Sequence, residues 1–287
     1  MSIATERGVR SIEVDVSGIE KVANGIEDLY NDKVDIILVR NALPRETLAA
    51  AGDLLDRDDQ NPGWDRPNEK MPVEDIQILG TDTLATPTYR APRGGSLEAY
   101  LEGTKRHREE AAKVFGPGFN ARAEVERVLN QFGGGRPVEL PRSSDGREYG
   151  PFSVRRLVDG TQIGPHFDYH YPLDLYSELR PLVDTSTLVS WVFTVRKPEA
   201  GGELVVYNLT RDTPNPPMMP NGYQFDMPAV EQQFSSMFFP TEIGDLFLLA
   251  SGRCMHRVNR ISGPKARVTM GGFLALTTDW QRAFYWS

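Results

Sequence analysis

The chain has 287 residues and a net charge of −8, from 32 lysines and arginines against 40 aspartates and glutamates. An acidic chain without a basic run is a poor binder of nucleic acid or of an anionic membrane, and no apolar stretch reaches the roughly 18 residues that span a bilayer. Cys254 is the single cysteine, so an intrachain disulfide is excluded, and the amino terminus lacks the apolar core of a secretory signal. These features predict a cytoplasmic protein.

The amino-terminal half, residues 1–150, is predicted to contain most of the helices. Its first clear element is an apolar run at residues 35–40, which indicates a buried strand. Apolar side chains then recur at helical spacing, which predicts an amphipathic helix at residues 46–56. Residues 60–95 are polar and rich in proline, glycine and aspartate, so a long loop region is predicted there, with a possible short strand at residues 75–79.

Two further helices are predicted in this half. The first covers residues 96–115, with Ser96 as its N-cap. The second covers residues 121–132 and ends at three consecutive glycines, which terminate helices. His107 lies in the charged stretch TKRHREE of the first helix, and it is expected to be a solvated surface residue.

The carboxy-terminal half, residues 151–287, is predicted to be rich in strands. Short apolar runs separated by turn residues place strands at residues 152–158, 187–195, 203–208, 245–250, 255–258 and 267–276. This density of strands indicates a β-sandwich or jelly roll. No linker or repeat divides the chain, so we expect one domain over residues 1–287. It would be mainly β with flanking helices, and its core would be a cupin-like double-stranded β-helix.

His166 and Asp168 are the most informative pair of side chains in the β-rich half. Residues two apart in an extended segment point to the same side, so an imidazole nitrogen and a carboxylate oxygen can converge on one metal ion. His256, after an apolar strand, is the candidate third ligand, whereas Cys254 is expected to be a packing residue. Two imidazoles and one carboxylate leave three octahedral positions open, as in non-haem Fe(II) oxygenases.

Arg267 and Thr269 form a second candidate site in the last long apolar strand. They are two residues apart and therefore share a face. A buried arginine needs an anion, and its planar fork fits a carboxylate with two hydrogen bonds. This predicts binding of the distal carboxylate of 2-oxoglutarate, whose 2-oxo acid end would chelate the iron. The alternative is a local ion pair of Arg267, for example with Asp245.

The order of these motifs resembles a known family. H-x-D, GGELVVYN, GDLFLL, HRV and R-x-T follow one another as in the Fe(II)/2-oxoglutarate-dependent oxygenases of prolyl-hydroxylase type. The chain resembles still more closely the oxygenases that halogenate hapalindole and welwitindolinone alkaloids without a carrier protein. PEAGGELVVYNL at residues 198–209 and the closing YWS are the most specific matches. The resemblance implies Fe(II), 2-oxoglutarate and O2 as cofactor and co-substrates.

One position departs from the pattern of those halogenases. They have glycine where this chain has Asp168, and the missing carboxylate leaves an iron site that chloride occupies. With a carboxylate at this position, the resemblance implies the related hydroxylases, which keep H-x-D and some of which act on N-substituted amino acids. We therefore predict hydroxylation of an unactivated C–H bond of a small metabolite, such as a secondary metabolite or an N-substituted amino acid.

The resemblance also assigns residues around the iron. It places Arg155, rather than its neighbour Arg156, on the side of the active site, where Arg155 would help to bind 2-oxoglutarate. Ser190 matches a hydroxyl-bearing position near the iron. Ile163 and Tyr171 flank the ligand pair in sequence, and they are candidates to line the substrate pocket.

Several alternatives stay open from the sequence. His170 alternates with His166 and Asp168, so it is a competing ligand, a pocket residue or a packing residue. The same three ligands would also suit zinc in a hydrolase or isomerase that works without 2-oxoglutarate, and a ligand-binding β-sandwich without catalysis is a third class. Within the oxygenase class, desaturation, epoxidation and ring formation remain alternatives to hydroxylation. The substrate and the oligomeric state are also open.

Overall fold

The computed structural model describes most of the chain, namely residues 8–56, 64–65, 81–84, 96–116, 118–169, 176–222 and 224–287. The strand predicted at residues 75–79 lies outside the described residues, as do His170 and Tyr171. None of the helices in this described part is long and apolar enough to cross a membrane.

The helices lie mainly in the amino-terminal half, as predicted. They are α1 (Gly25–Tyr30), α2 (Arg45–Asp56), α3 (Leu97–Phe115), α4 (Ala121–Leu129) and α5 (Met227–Gln233). Short 3-10 turns cover Val16–Val22, Asn130–Phe132 and Arg180–Leu182. The three helices predicted from periodicity correspond to α2, to α3 and to α4 with the 3-10 turn that follows it.

Helix α3 contradicts one expectation about its side chains. Ser96 caps it as predicted, because the Ser96 hydroxyl accepts a hydrogen bond from the Ala99 N–H at 3.2 Å. His107, however, is 0% exposed, and its ring packs edge-to-face on Phe152 with centroids 5.2 Å apart. The surface assignment of His107 was wrong because this residue lies on the helical stripe that contains the buried Thr104 and Ala111. The charged neighbours in sequence face away from that stripe.

The strands form the core of the molecule. They are β1 (Ser11–Asp15), β2 (Ile36–Arg40), β3 (Trp64–Asp65), β4 (Thr81–Leu84), β5 (Val138–Glu139), β6 (Ser153–Leu157), β7 (Ile163–His166), β8 (Val189–Arg196), β9 (Leu204–Thr210), β10 (Ser236–Phe239), β11 (Leu246–Leu249), β12 (Cys254–Val258), β13 (Arg267–Leu276) and β14 (Ala283–Trp286). The six strands predicted in the carboxy-terminal half correspond to β6, β8, β9, β11, β12 and β13.

Among the described residues these strands form two sheets. The larger sheet has the order β1-β2-β11-β8-β13-β6-β4-β3, and β14 pairs with both β13 and β5. The smaller sheet has the order β10-β9-β12-β7. The non-consecutive order means that strands distant in sequence lie side by side in each sheet. The predicted double-stranded β-helix, or jelly roll, is confirmed.

Alternation along β8 explains how one strand serves both the core and the space between the sheets. Trp191 and Phe193 belong to the main hydrophobic cluster, which includes side chains of α2 and α4. Ser190 and Val192 point to the opposite face and line a pocket between the two sheets. The helices therefore cover the outer face of the larger sheet, and its inner face is left for a functional site.

Asp245 joins the start of β11 to the end of β2. It is 1% exposed, and its carboxylate accepts hydrogen bonds from Arg40 Nη1 at 2.6 Å and from the backbone N–H groups of Asn41 and Glu242 at 3.1 and 2.8 Å. The same Arg40 guanidinium donates from Nε to the exposed Glu13 at 2.8 Å. One arginine thus has a buried and an exposed carboxylate partner.

This arrangement predicts unequal stability effects for the two partners of Arg40. Asp245→Ala should lower the free energy of unfolding by about 3 kcal/mol, because it leaves buried donors and a charge without their acceptor. Glu13→Ala should lower it by about 0.5 kcal/mol, since water replaces an exposed partner. Urea denaturation of both variants measures the difference. Equal effects would mean that the buried Asp245 contributes no more to stability than the exposed Glu13.

Candidate active site

The pocket between the sheets brings the predicted site residues together. Its polar lining side chains are Arg155, His166, Asp168, Ser190, His256, Arg267 and Thr269. They include the three predicted metal ligands and the three residues predicted to bind 2-oxoglutarate. Residues from β6, β7, β8, β12 and β13 therefore converge on one pocket, although they are separated by up to about a hundred positions in sequence.

His166 and His256 are placed by the pairing of β7 with β12. These strands are antiparallel, and the two histidines lie directly opposite each other in the register, with ring centroids 4.3 Å apart. Asp168 follows two residues after His166. One ligand atom from each of these three side chains lies within 4.8 Å of those of the other two. A single ion can reach all three from one point.

The hydrogen bonds of the two imidazoles fix which nitrogen faces the pocket. His166 Nδ1 lies 2.7 Å from the Gly164 carbonyl oxygen, and His256 Nδ1 lies 3.0 Å from that of Cys254. A carbonyl can only accept, so each Nδ1 carries the proton and each Nε2 presents a lone pair. The Nε2 atoms lie 3.5 Å and 3.7 Å from the two oxygens of Asp168. This donor set fits Fe(II).

Asp168 is held in place by neighbours on the larger sheet. Its backbone N–H donates to the Ser251 carbonyl at 3.0 Å, and its Oδ2 accepts a hydrogen bond from the Ser190 hydroxyl. The Ser190 and Ser251 hydroxyl oxygens lie 2.7 Å apart. Ser190, which the resemblance implies to lie near the iron, therefore contacts the carboxylate of Asp168 directly.

Arg267 is a buried cation at the other end of the pocket lining. It is 4% exposed, and within the described part of the chain it makes no side-chain hydrogen bond and no ion pair. Burial, together with repulsion from Arg155, lowers the pKa of Arg267 to about 10, and the attraction of Glu203 partly opposes this shift. The guanidinium still carries its charge at neutral pH, so it is ready to bind an anion.

Asp245 is not the partner of Arg267. The predicted alternative of an ion pair between Arg267 and Asp245 is wrong. The carboxylate of Asp245, just before β11, pairs with Arg40 at the end of β2. Thr269 lies on the same face of β13 as Arg267 and also lines the pocket. The guanidinium of Arg267 and the hydroxyl of Thr269 therefore face the same pocket.

Arg155 and Arg156 point to opposite faces of β6. Arg155 pairs in register with Thr269 and lines the pocket. Arg156 lies on the other face, where its Nη2 donates to the backbone carbonyl of Asp56 at 3.3 Å. The alternation of strand side chains thus places Arg155, and not Arg156, on the side of β6 that faces the pocket.

Apolar side chains complete the walls of the pocket. Ile163 lines it as predicted. The other apolar wall residues were not predicted from the sequence; they are Val192, Leu204, Phe247, Leu249, Val258 and Phe273. Two of them could have been found by alternation, because Val192 and Val258 lie two residues after Ser190 and His256. His170 and Tyr171 lie outside the described residues.

Comparison with protein families gives one match, which covers nearly the whole chain. The model described as carrier-protein-independent halogenase WelO5 matches residues 9–287. No curated protein matches the chain.

The chain is similar to the following solved structures. An N-substituted L-amino acid dioxygenase from Burkholderia ambifaria AMMD, in complex with alpha-KG, matches with a TM-score of 0.52 and 16% identity, over 92% of this chain and 91% of that chain. An oxidoreductase of the 2OG-Fe(II) oxygenase family from Burkholderia pseudomallei has a TM-score of 0.45 and 14% identity, over 93% and 94%. A Pseudomonas putida prolyl-4-hydroxylase has a TM-score of 0.42 and 14% identity, over 89% and 97%.

The isolation of Arg267 predicts an unusual stability effect. Arg267→Met should raise the free energy of unfolding of the ligand-free protein by about 1–3 kcal/mol, because an apolar side chain replaces a buried charge that forms no ion pair with the described residues and is attracted by Glu203 only at longer range. The matched control is Arg156→Met on the neighbouring strand, which removes a hydrogen-bonded arginine and should lower stability by about 1 kcal/mol or more. Denaturation after dialysis against a chelator measures both. If the two variants are destabilised alike, Arg267 has a partner in the free protein.

Proposed function

We propose that this chain, which belongs to the family of the carrier-protein-independent halogenase WelO5, hydroxylates an unactivated C–H bond of a small metabolite. The chain is a 2-oxoglutarate-dependent non-haem iron oxygenase, and it uses Fe(II), 2-oxoglutarate and O2. The observation that carries the proposal is the carboxylate of Asp168, whose oxygens lie 3.5 Å and 3.7 Å from the Nε2 atoms of His166 and His256.

His166, Asp168 and His256 are the proposed iron ligands. Their support is the convergence of two imidazole lone pairs and one carboxylate on one point, with both Nδ1 protons held by backbone carbonyls. When bound, the iron centre with 2-oxoglutarate and O2 supplies the oxidant that breaks the C–H bond. In the overall balance, one oxygen atom enters the substrate as hydroxyl, and the other enters succinate as 2-oxoglutarate loses carbon dioxide.

Arg267, Thr269 and Arg155 are the proposed anchors of 2-oxoglutarate. Arg267 is supported by its burial without an anionic partner among the described residues. Its fork would bind the distal carboxylate with two hydrogen bonds, and Thr269 would add a hydroxyl donor. Arg155 faces the same region and adds positive charge. A zinc hydrolase would leave this buried cation without an anion, which favours the oxygenase over that alternative.

Asp168 decides between hydroxylation and halogenation in this proposal. A carboxylate bound to the iron would occupy the position that a halide would need, so the residues of this chain would leave no coordination position for chloride once 2-oxoglutarate and O2 are bound. The protein then has three tasks: to hold the carboxylate, to orient the substrate C–H bond and to keep the pocket dry. Apolar wall residues such as Val192, Leu204 and Phe247 serve the last task.

The substrate is proposed to be a small molecule, either a secondary metabolite or an N-substituted amino acid. The support is a pocket enclosed by two sheets, with apolar walls around a few polar groups, which suits a small organic compound. A substrate screen under anaerobic conditions, with Fe(II) and 2-oxoglutarate present, tests this class. Perturbation of the metal-to-ligand charge-transfer band identifies compounds that bind near the iron.

The ligand assignment predicts one iron per chain. His166→Ala and His256→Ala should lose nearly all bound iron, since loss of a ligand should exceed the roughly 10- to 100-fold cost of losing an outer-shell partner. Cys254→Ala is the control, because its thiol faces Asp35 at 3.6 Å and not the ligands. Metal analysis after anaerobic loading measures the content. Iron that persists in both histidine variants, or disappears in the cysteine variant, would contradict the assignment.

The reaction outcome gives a separate prediction. In abundant chloride the unmodified enzyme should yield hydroxylated or otherwise oxidised product and no chlorinated product. Asp168→Gly should lose most hydroxylation and gain halogenation weakly or not at all, because the partition of the substrate radical depends steeply on geometry. Mass spectrometry of the products decides. Chlorinated product from the unmodified enzyme would mean that Asp168 does not bind iron in the working complex.

A further inference from the structure

Gly202 lies against the side chain of Arg267. A Cβ at this glycine would be 2.9 Å from Arg267 Cδ, 2.8 Å from Ile261 Cδ1 and 3.0 Å from Pro198 Cγ. Carbon atoms in contact lie about 3.5–4.0 Å apart, so a methyl group has no room in any of these three directions. Gly202 also has a φ of +75°, a conformation that glycine adopts without strain. The stem of Arg267 therefore occupies space that any other residue at position 202 would need.

The backbone around Gly202 is held on both sides. Ala200 and Ser262 exchange two hydrogen bonds between backbone N–H and carbonyl groups, at 3.1 and 2.9 Å. The Asn259 N–H donates to the Glu203 carbonyl at 3.0 Å. This segment cannot recoil from an added side chain without losing these bonds. The flexible arginine side chain is therefore the part that would move.

The register of the smaller sheet shows on which side of Arg267 this contact lies. His256 pairs with Val206. Leu204, two residues before Val206, lines the pocket, and Gly202, two residues earlier again, is not one of the lining residues. Arg267 does line the pocket, so its side chain separates Gly202 from the ligand space. A side chain at position 202 would push the guanidinium toward the metal ligands.

We propose that Gly202 determines the length of the 2-oxo diacid that the pocket accepts, because its missing side chain lets Arg267 lie far enough back for a five-carbon chain. The inference rests on the proposed function of Arg267 as the anchor of the distal carboxylate of 2-oxoglutarate. The other end of this co-substrate would be held at the metal, so the separation of metal and guanidinium selects the chain length.

The size of the displacement fits this role. A methyl group at position 202 would have to move Arg267 Cδ from 2.9 Å to a contact distance of about 3.5–4.0 Å, that is by about 0.6–1.1 Å. Such a shift is a large part of the length that one methylene group adds to a diacid. Gly202 is thus a specificity-determining residue that contacts the anchor and not the ligand.

The test compares the dissociation constants of two 2-oxo diacids, 2-oxoglutarate with five carbons and oxaloacetate with four. Each is titrated anaerobically into the protein loaded with Fe(II), and the metal-to-ligand charge-transfer band reports binding. Gly202→Ala should weaken 2-oxoglutarate binding by about 10-fold or more, because the charge-assisted hydrogen bonds to its distal carboxylate are lost. Oxaloacetate should bind this variant as well as it binds the unmodified protein, or better. The ratio of the two constants should therefore change by about 10-fold or more.

Gly116→Ala is the matched control. Gly116, at the end of α3, has a φ of +74°, and no described atom lies within 4 Å of the position of its Cβ. This variant adds the same backbone strain without a contact with Arg267, so it should change neither dissociation constant. If Gly202→Ala alone does not fold, the double variant Gly202→Ala with Ile261→Val removes the closest atom, Cδ1, and keeps the contact with Arg267.

The outcomes separate this inference from the function on which it rests. An unchanged ratio of the two constants in the folded single or double variant would overturn the inference. Failure of both variants to fold would also overturn it, since Gly202 would then serve the fold alone. The proposed function would instead be contradicted if the unmodified protein gave no charge-transfer band with 2-oxoglutarate, or if Arg267→Met bound 2-oxoglutarate with unchanged affinity.

Discussion

The antiparallel pairing of β7 with β12 is the constraint on which the site depends. It sets His166 directly opposite His256, and the chain then needs only two more residues to bring Asp168 to the same point. Backbone carbonyls within each strand hold the Nδ1 protons, so the register of the pair also determines which nitrogen faces the pocket. A shift of one residue would send a histidine to the opposite face of the smaller sheet.

Arg267 imposes a second constraint of a different kind. The larger sheet buries its charge beside a like charge, Arg155, and the described residues leave it without an anionic partner. Such an arrangement costs stability in the free protein, and a bound dianion offsets that cost. The pocket therefore suits a ligand with two negatively charged groups, one that binds the metal and one that binds the guanidinium of Arg267. A co-substrate with an acid group at each end meets both requirements.

Local periodicity predicted four of the strands that carry the site, β6, β8, β12 and β13, but it did not predict β7, which carries His166. H-x-D, the distant His256 and R-x-T all depend on two-residue alternation, which is visible in sequence. Elements without an apolar run were missed, as with the mostly exposed β1 and the short helix α5. His107 was misplaced because charged neighbours hid its position on a buried stripe. The contact of Ser190 with Asp168 joins residues 22 positions apart on different elements, so alternation alone cannot predict it.

The central claim is that Asp168 excludes halide from the iron, and it can be tested before any substrate is known. Fe(II), 2-oxoglutarate and nitric oxide, which occupies the position of O2, are added anaerobically to the protein, and the charge-transfer band of the iron centre is followed while chloride replaces an inert anion at constant ionic strength. The account predicts that the position and intensity of the band do not change. A saturable shift of the band with chloride, in the unmodified protein, would contradict it.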